Sequence, residues 1–142
     1  MPINFPSFPF LKKIIQKNLE FIGHYPDLSA DTLTLGIHFI RYYALEGKAA
    51  YSSPVWLHID DEPLVFLHLL QLSDNLIGGD NIIAESKGTI KNVFKLKKFM
   101  DTVILNRNTR HAVTPMGSTR GIAIRDIILF TVEPTVITRE IK

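Results

Sequence analysis

The sequence predicts an antiparallel all-β sandwich or barrel, read as a jelly roll with one leading helix. Three observations point there. Apolar residues alternate with period two from residue 33 onward, turn signals recur between short β-rich runs, and one stretch alone repeats confidently at helical spacing.

Taken in order, Pro2, Pro6 and Pro9 hold the first residues extended. Phe10 to Ile22 reads as an amphipathic helix: Phe10, Leu11, Ile14, Ile15 and Leu19 recur at helical spacing, and Lys12, Lys13, Gln16 and Lys17 fill the opposite face. Leu33, Leu35, Ile37 and Phe39 then alternate with Thr34, Gly36 and His38, the period of a strand. Leu64 to Leu72, Thr102 to Asn106 and Ile122 to Val132 are the further strand candidates. Turns are expected at Glu46-Gly47, Gly78-Gly79-Asp80-Asn81, Lys87-Gly88, Pro115-Met116-Gly117 and Arg120-Gly121. No internal repeat or low-complexity linker interrupts the run, so residues 1–142 are expected to form a single domain.

Composition excludes several function classes. A chain of 142 residues is long enough to bury roughly 68–70% of its unfolded surface without a disulfide or structural metal. Apolar residues make up 46% and charged residues 21%, ordinary for a globular protein. The net charge of +2, from 16 basic and 14 acidic residues, is too mild to draw nucleic acid or an anionic membrane. Lys95, Lys97 and Lys98 form the one basic run, which reads as a solvated turn. With no cysteine there is no disulfide, iron–sulfur cluster, thiolate zinc site or Cys nucleophile. The opening residues lack the basic region and unbroken apolar run of a signal peptide. No apolar stretch approaches the ~20 residues that span a bilayer, so a cytoplasmic protein is expected.

The chemistry concentrates in His58-Ile59-Asp60, His111 and Arg125. Two histidines and a carboxylate hold three adjacent positions on a ferrous ion and leave the others open. In an extended segment residues i and i+2 share a face, so His58 and Asp60 converge while Ile59 turns away. His111 follows Asp60 by 51 residues, far enough to arrive from another strand. Trp56 and Leu57, with Ile104, Leu105 and Val113, are expected as apolar walls that tune the metal. The bare pattern leaves alternatives open: polar residues at strand ends, or a solvated acidic turn at Asp60-Asp61-Glu62. Arg125 on these grounds alone reads rather as a strand-edge residue paired with a surface carboxylate.

A wider resemblance covers more than half of the chain, in order. It runs through Gly36-Ile37-His38, Arg41-Tyr42, Ser52-Ser53-Pro54-Val55-Trp56-Leu57-His58-Ile59-Asp60-Asp61-Glu62-Pro63 and Val65-Phe66-Leu67-His68-Leu69. It continues in Ile77-Gly78-Gly79-Asp80-Asn81, His111-Ala112-Val113-Thr114-Pro115 and Arg125-Asp126-Ile127. In these stretches the chain resembles the bacterial amino-acid hydroxylases typified by L-isoleucine dioxygenase, 2-oxoglutarate/Fe(II) oxygenases with a double-stranded β-helix (jelly-roll) fold. The resemblance implies that His58, Asp60 and His111 are the iron ligands and that Arg125 pairs with the distal carboxylate of 2-oxoglutarate. A guanidinium suits that role because its rigid fork meets a carboxylate with two parallel hydrogen bonds. It further implies Fe(II), 2-oxoglutarate and O2 as cofactor and cosubstrates, a free aliphatic L-amino acid as substrate, and succinate and carbon dioxide as products.

Tyr42 and His68 lie in matched strands, where each either reaches the cosubstrate or packs with a satisfied polar tip. Gly78-Gly79-Asp80-Asn81 reads as a turn aiming the next strand, not a phosphate site. Ser52 and Ser53 either order a loop over the site or form an exposed turn before Pro54. His24 and His38 have no ligand spacing. Relative to the family the chain is short at its N-terminus, which leaves three expectations: a minimal oxygenase, a site completed by homodimerisation or another partner chain, or a truncated cupin-like protein that binds metal and 2-oxoglutarate without turnover.

Overall fold

The computed structural model describes residues 9–28 and 32–135. The expectation for Pro2 and Pro6 lies outside them. The chain divides into two compact units, Met1–Thr34 with Glu133–Lys142, and Leu35–Val132.

In the first unit the described part is led by α1 (Pro9–Ile22). Pro9 stands in its first turn instead of extending the chain before it; there the missing N–H removes no helical bond. Leu11, Ile14, Asn18 and Ile22 form the buried stripe. Phe10 and Leu19, expected on that stripe, are exposed, because the stripe is one residue wide at each turn. A short 3-10 turn, Pro26–Leu28, follows. No helix of the described residues is long and apolar enough to cross a membrane.

Among the described residues nine strands follow: β1 (Leu33–Leu45), β2 (Leu64–Leu72), β3 (Leu76–Gly78), β4 (Asn81–Ala84), β5 (Ile90–Phe94), β6 (Thr102–Asn106), β7 (Arg110–Val113), β8 (Met116–Ser118) and β9 (Ile122–Pro134). They make a four-stranded sheet ordered β1-β9-β2-β6, a three-stranded sheet β5-β4-β7, and the pair β3-β8. β2 runs antiparallel to β6 and β9, and β4 antiparallel to β5 and β7. The predicted β2, β6 and start of β9 are observed, and β1 runs on to Leu45. Pro115-Met116-Gly117 is not the expected turn. Met116 is fully buried in β8 and pairs with Gly78, and its backbone also bridges Ala50. Apolar burial there outweighs the local turn tendency of Pro and Gly.

Side-chain parity places the interior of the second unit. Ile40, Tyr42, Val65, Leu67, Val103, Leu105, Ile127 and Leu129 of the four-stranded sheet line one cavity together with Asn81, Ile83, His111 and Val113 of the three-stranded sheet. The cavity therefore lies between two sheets, as in a sandwich. The alternate residues Phe66, His68, Ile128 and Phe130 are buried on the other face, where the Phe66 and Phe130 rings meet edge to face. Between Leu69 and Gln71 the β2–β9 register shifts, so that Leu72 comes opposite Arg125. Such a bulge re-aims the side chains beyond it.

Candidate metal centre

His58 and His111 meet through their backbones before they meet through their rings. The His58 N–H donates to the His111 carbonyl at 3.0 Å, and the His111 N–H to the His58 carbonyl at 2.8 Å. This isolated bridge brings a loop residue against β7 and sets the ring centroids 4.3 Å apart. Asp60, two residues on, turns to the same side, while Ile59 is exposed. Its two carboxylate oxygens lie 3.4 Å from His58 Nε2 and 3.2 Å from His111 Nε2. Ligand atoms from all three residues fall within 4.8 Å of one another.

The backbone also orients both rings. His58 Nδ1 lies 2.9 Å from the Trp56 carbonyl and His111 Nδ1 lies 3.1 Å from the Thr109 carbonyl. A carbonyl only accepts, so each Nδ1 carries a proton, and in the neutral ring the Nε2 lone pair is left free for a metal. Such outer contacts fix tautomer and ring orientation in metal sites. Without an ion, the His111 hydrogen bond holds the Asp60 carboxyl below its usual range against the opposing effect of burial. Burial pulls the His111 imidazolium down, but Asp60 and the Thr109 carbonyl outweigh it and leave its pKa raised. A metal cation bound there would replace the His111 Nε2 proton as the neutralising charge. The donor set and its open side fit ferrous iron.

Arg125 sits on β9 with a side chain that is 1% exposed. Neither its Nη1 nor its Nη2 has a hydrogen-bond partner among the described residues. Burial pushes its pKa down, and the charges of Tyr42 and Asp80 push the other way. The neighbouring Asp126 does not serve it: Arg41 takes both Asp126 oxygens at 2.8 Å on the exposed side. The alternative of a strand-edge Arg paired with a surface carboxylate therefore describes Arg41, not Arg125. A buried guanidinium with both ends open fits a carboxylate ligand, because leaving it unpaired carries a large desolvation penalty.

The other expected residues divide. Tyr42 lines the cavity, and the Arg125 guanidinium carbon lies 5.6 Å from its ring centroid, within cation–π reach. Ser52 and Ser53 also line it. His68 does not. It points to the opposite face of β2 from Val65 and Leu67, is 3% exposed, and its Nδ1 lies 2.7 Å from Thr102 Oγ1. The period-two alternation of a strand decides this, since position 68 has the wrong parity. Of the expected apolar walls, Leu105 and Val113 line the cavity, whereas Trp56 and Ile104 are exposed. Sequence reasoning missed Asn81 as a cavity residue, and it missed the Trp56 and Thr109 carbonyls. Those carbonyls lie two residues before each histidine, but a backbone group leaves no side-chain signature.

Fold and site together define a class: a jelly roll carrying a converging two-histidine, one-carboxylate cluster and a buried arginine with an open fork. Comparison with known proteins agrees. The family model described as 2OG-Fe dioxygenase matches residues 4–131, and the chain belongs to that family. It is 45% identical over 138 residues to 3(1)-hydroxy-L-isoleucine 4-dioxygenase of Pantoea ananatis (strain AJ13355), covering 88% of this chain and 56% of that protein. It is 43% identical over 126 residues to L-isoleucine-4-hydroxylase of Bacillus thuringiensis, covering 87% and 52%. The crystal structure of IDO from Bacillus thuringiensis superposes with a TM-score of 0.85 at 41% identity, covering 90% of this chain and 58% of that one. A bsmA homolog from Methylobium petroleophilum PM1 shares the fold at a TM-score of 0.70 and 18% identity, covering 84% and 49%. The chain thus spans little more than half the length of the curated relatives it matches.

Proposed function

We propose that this chain acts as an Fe(II)- and 2-oxoglutarate-dependent dioxygenase that hydroxylates a free aliphatic L-amino acid. His58, Asp60 and His111 are the iron ligands, Arg125 holds the distal carboxylate of 2-oxoglutarate, and Tyr42 lines the cosubstrate site beside it. The observation that carries this reading is the buried Arg125 fork, with Nη1 and Nη2 both open, in the same unit as a converging His58–Asp60–His111 cluster. The isoleucine-acting names of the relatives support the substrate class.

Bound iron would supply O2 activation coupled to oxidative decarboxylation of the keto acid, one oxygen atom entering succinate and the other the substrate C–H bond. The protein's residues do the rest. Trp56 and Thr109 hold the two Nδ1–H groups, so each Nε2 lone pair faces the metal. Arg125 fixes one end of the keto acid and thereby its orientation at the metal. Val65, Leu67, Leu105, Ile127 and Leu129 present an apolar lining that limits water and accepts an aliphatic side chain.

Succinate formation with Fe(II), ascorbate, 2-oxoglutarate and O2 tests this, run with each common L-amino acid and with none. Amino-acid-stimulated succinate that is lost in His58→Ala is the expected result. No succinate under any condition, from folded and iron-loaded protein, sinks it; if that protein still binds 2-oxoglutarate stoichiometrically, it is a binding module without turnover.

A further inference from the structure

We propose that the side-chain amide of Asn81 is a further contact for 2-oxoglutarate, holding the keto acid between the metal cluster and Arg125. This rests on the cosubstrate reading above and adds a residue to it.

The placement comes from β4 and the turn before it. In the β4–β7 pairing Ile83 stands opposite His111 and Asn81 opposite Val113. Directly opposed residues of an antiparallel pair share a face, and so do residues two apart on one strand. Asn81 therefore lies on the His111 face, about 7 Å further along the strand. All four residues line the cavity. Two residues before Asn81 the chain reaches Arg125: a Cβ built on Gly79 would lie 3.7 Å from Arg125 Cδ. Walking back along the chain from the partner of His111 to the neighbour of Arg125 thus passes Asn81.

Its bonding leaves capacity to spare. Asn81 is 4% exposed, yet the one hydrogen bond its side chain makes among the described residues is a long donation from Nδ2 to the Phe94 carbonyl, at 3.4 Å. A carboxamide offers two N–H donors and an oxygen with two lone pairs. Buried polar groups are seldom left so poorly satisfied without a role. Around it the cavity is mostly aliphatic, which favours Val or Leu at a position with no polar partner to meet. A ligand that carries oxygen acceptors from the metal to Arg125 supplies that partner. The second N–H of the amide donates to it, and the backbone anchor at Phe94 keeps the amide plane in place.

The test is anaerobic calorimetry on the whole chain loaded with Mn(II), titrated with 2-oxoglutarate, beside a titration of the metal-free protein with Mn(II) alone. Asn81→Ala is expected to weaken 2-oxoglutarate binding about tenfold to a hundredfold, the range for a hydrogen bond to a charged group. Its Mn(II) affinity should stay within about twofold of the parent, which a merely structural role for Asn81 would not guarantee. Asn81→Asp keeps the shape and sets an anion against an anionic ligand, so it should bind at least as poorly. It carries the test if the Ala variant does not fold. Parent-like 2-oxoglutarate affinity in a folded variant overturns the proposal while leaving the role of Arg125 standing. Failure of the Mn(II)-loaded parent to bind 2-oxoglutarate overturns the cosubstrate reading and this proposal with it.

Discussion

Arg125 and Asp60 show how differently a buried and a half-buried charge are managed in one fold. Asp60 is held by two histidines, and its carboxylate is stabilised without any metal. Arg125 has no such partner at either end of its fork. The two should therefore fail separately. Arg125→Ala is expected to weaken 2-oxoglutarate binding by a factor of thirty or more, on the order of 2 kcal/mol for a charge-assisted pair lost in a buried site, while Mn(II) affinity changes little. Asp60→Ala should abolish specific metal binding and, through it, keto-acid binding, read by the same two titrations. Loss of metal affinity in Arg125→Ala would show that the guanidinium supports the cluster itself.

At the scale of single elements, the β3–β8 pair and the outer face of β2 make opposite demands. Gly78 has a φ of +72°, and a Cβ there would overlap the Pro115 carbonyl oxygen, whereas Gly88 at +86° has open space around it. Gly78→Ala should cost about 3 kcal/mol or more in urea unfolding, and Gly88→Ala only the backbone strain of about 1 kcal/mol. Similar losses at the two sites would mean that β8 shifts to accommodate the methyl group. On β2, burial lowers the His68 pKa, so the folded group stays neutral where the unfolded chain takes up a proton. The unfolded state then binds more protons, and stability falls as pH drops through the ordinary histidine value of about 6.5 toward the lower folded value. His68→Gln should therefore lose less thermal stability than the parent between about pH 7.5 and pH 5.5. An identical pH dependence would assign the acid sensitivity to other groups.

For the whole molecule, the proposed function makes metal and cosubstrate ligands of the folded state alone, so both should stabilise it. At a hundredfold excess over its dissociation constant each contributes about 2.7 kcal/mol, which for a chain of this size is a rise of several degrees in Tm. Mn(II) should produce the first increment in parent and Arg125→Ala alike, and 2-oxoglutarate the second in the parent alone. A second increment in Arg125→Ala would place the carboxylate on another cation.

Much of this was legible in the chain itself. Leu64 to Leu72 and Thr102 to Asn106 are strands at the boundaries their β-rich texture marks, because burial acts on patterns local to each run. His58 and Asp60 share a side because they stand two residues apart. Turn glycines at 47, 78, 79, 88 and 121 take positive φ, a demand carried by the residue type. Tertiary structure decided what local pattern cannot hold. It put Met116 and Gly117 of the expected turn into a strand, with Met116 buried, and it gave Asp126 to Arg41 so that Arg125 keeps both nitrogens open. It also sent His68 away from the cavity and brought Asn81 into it. The sequence by itself determined which side chains are present and their spacing along each strand. Which face of a sheet meets which, and hence which buried group is left without a partner, depends on long-range pairing that no local pattern encodes.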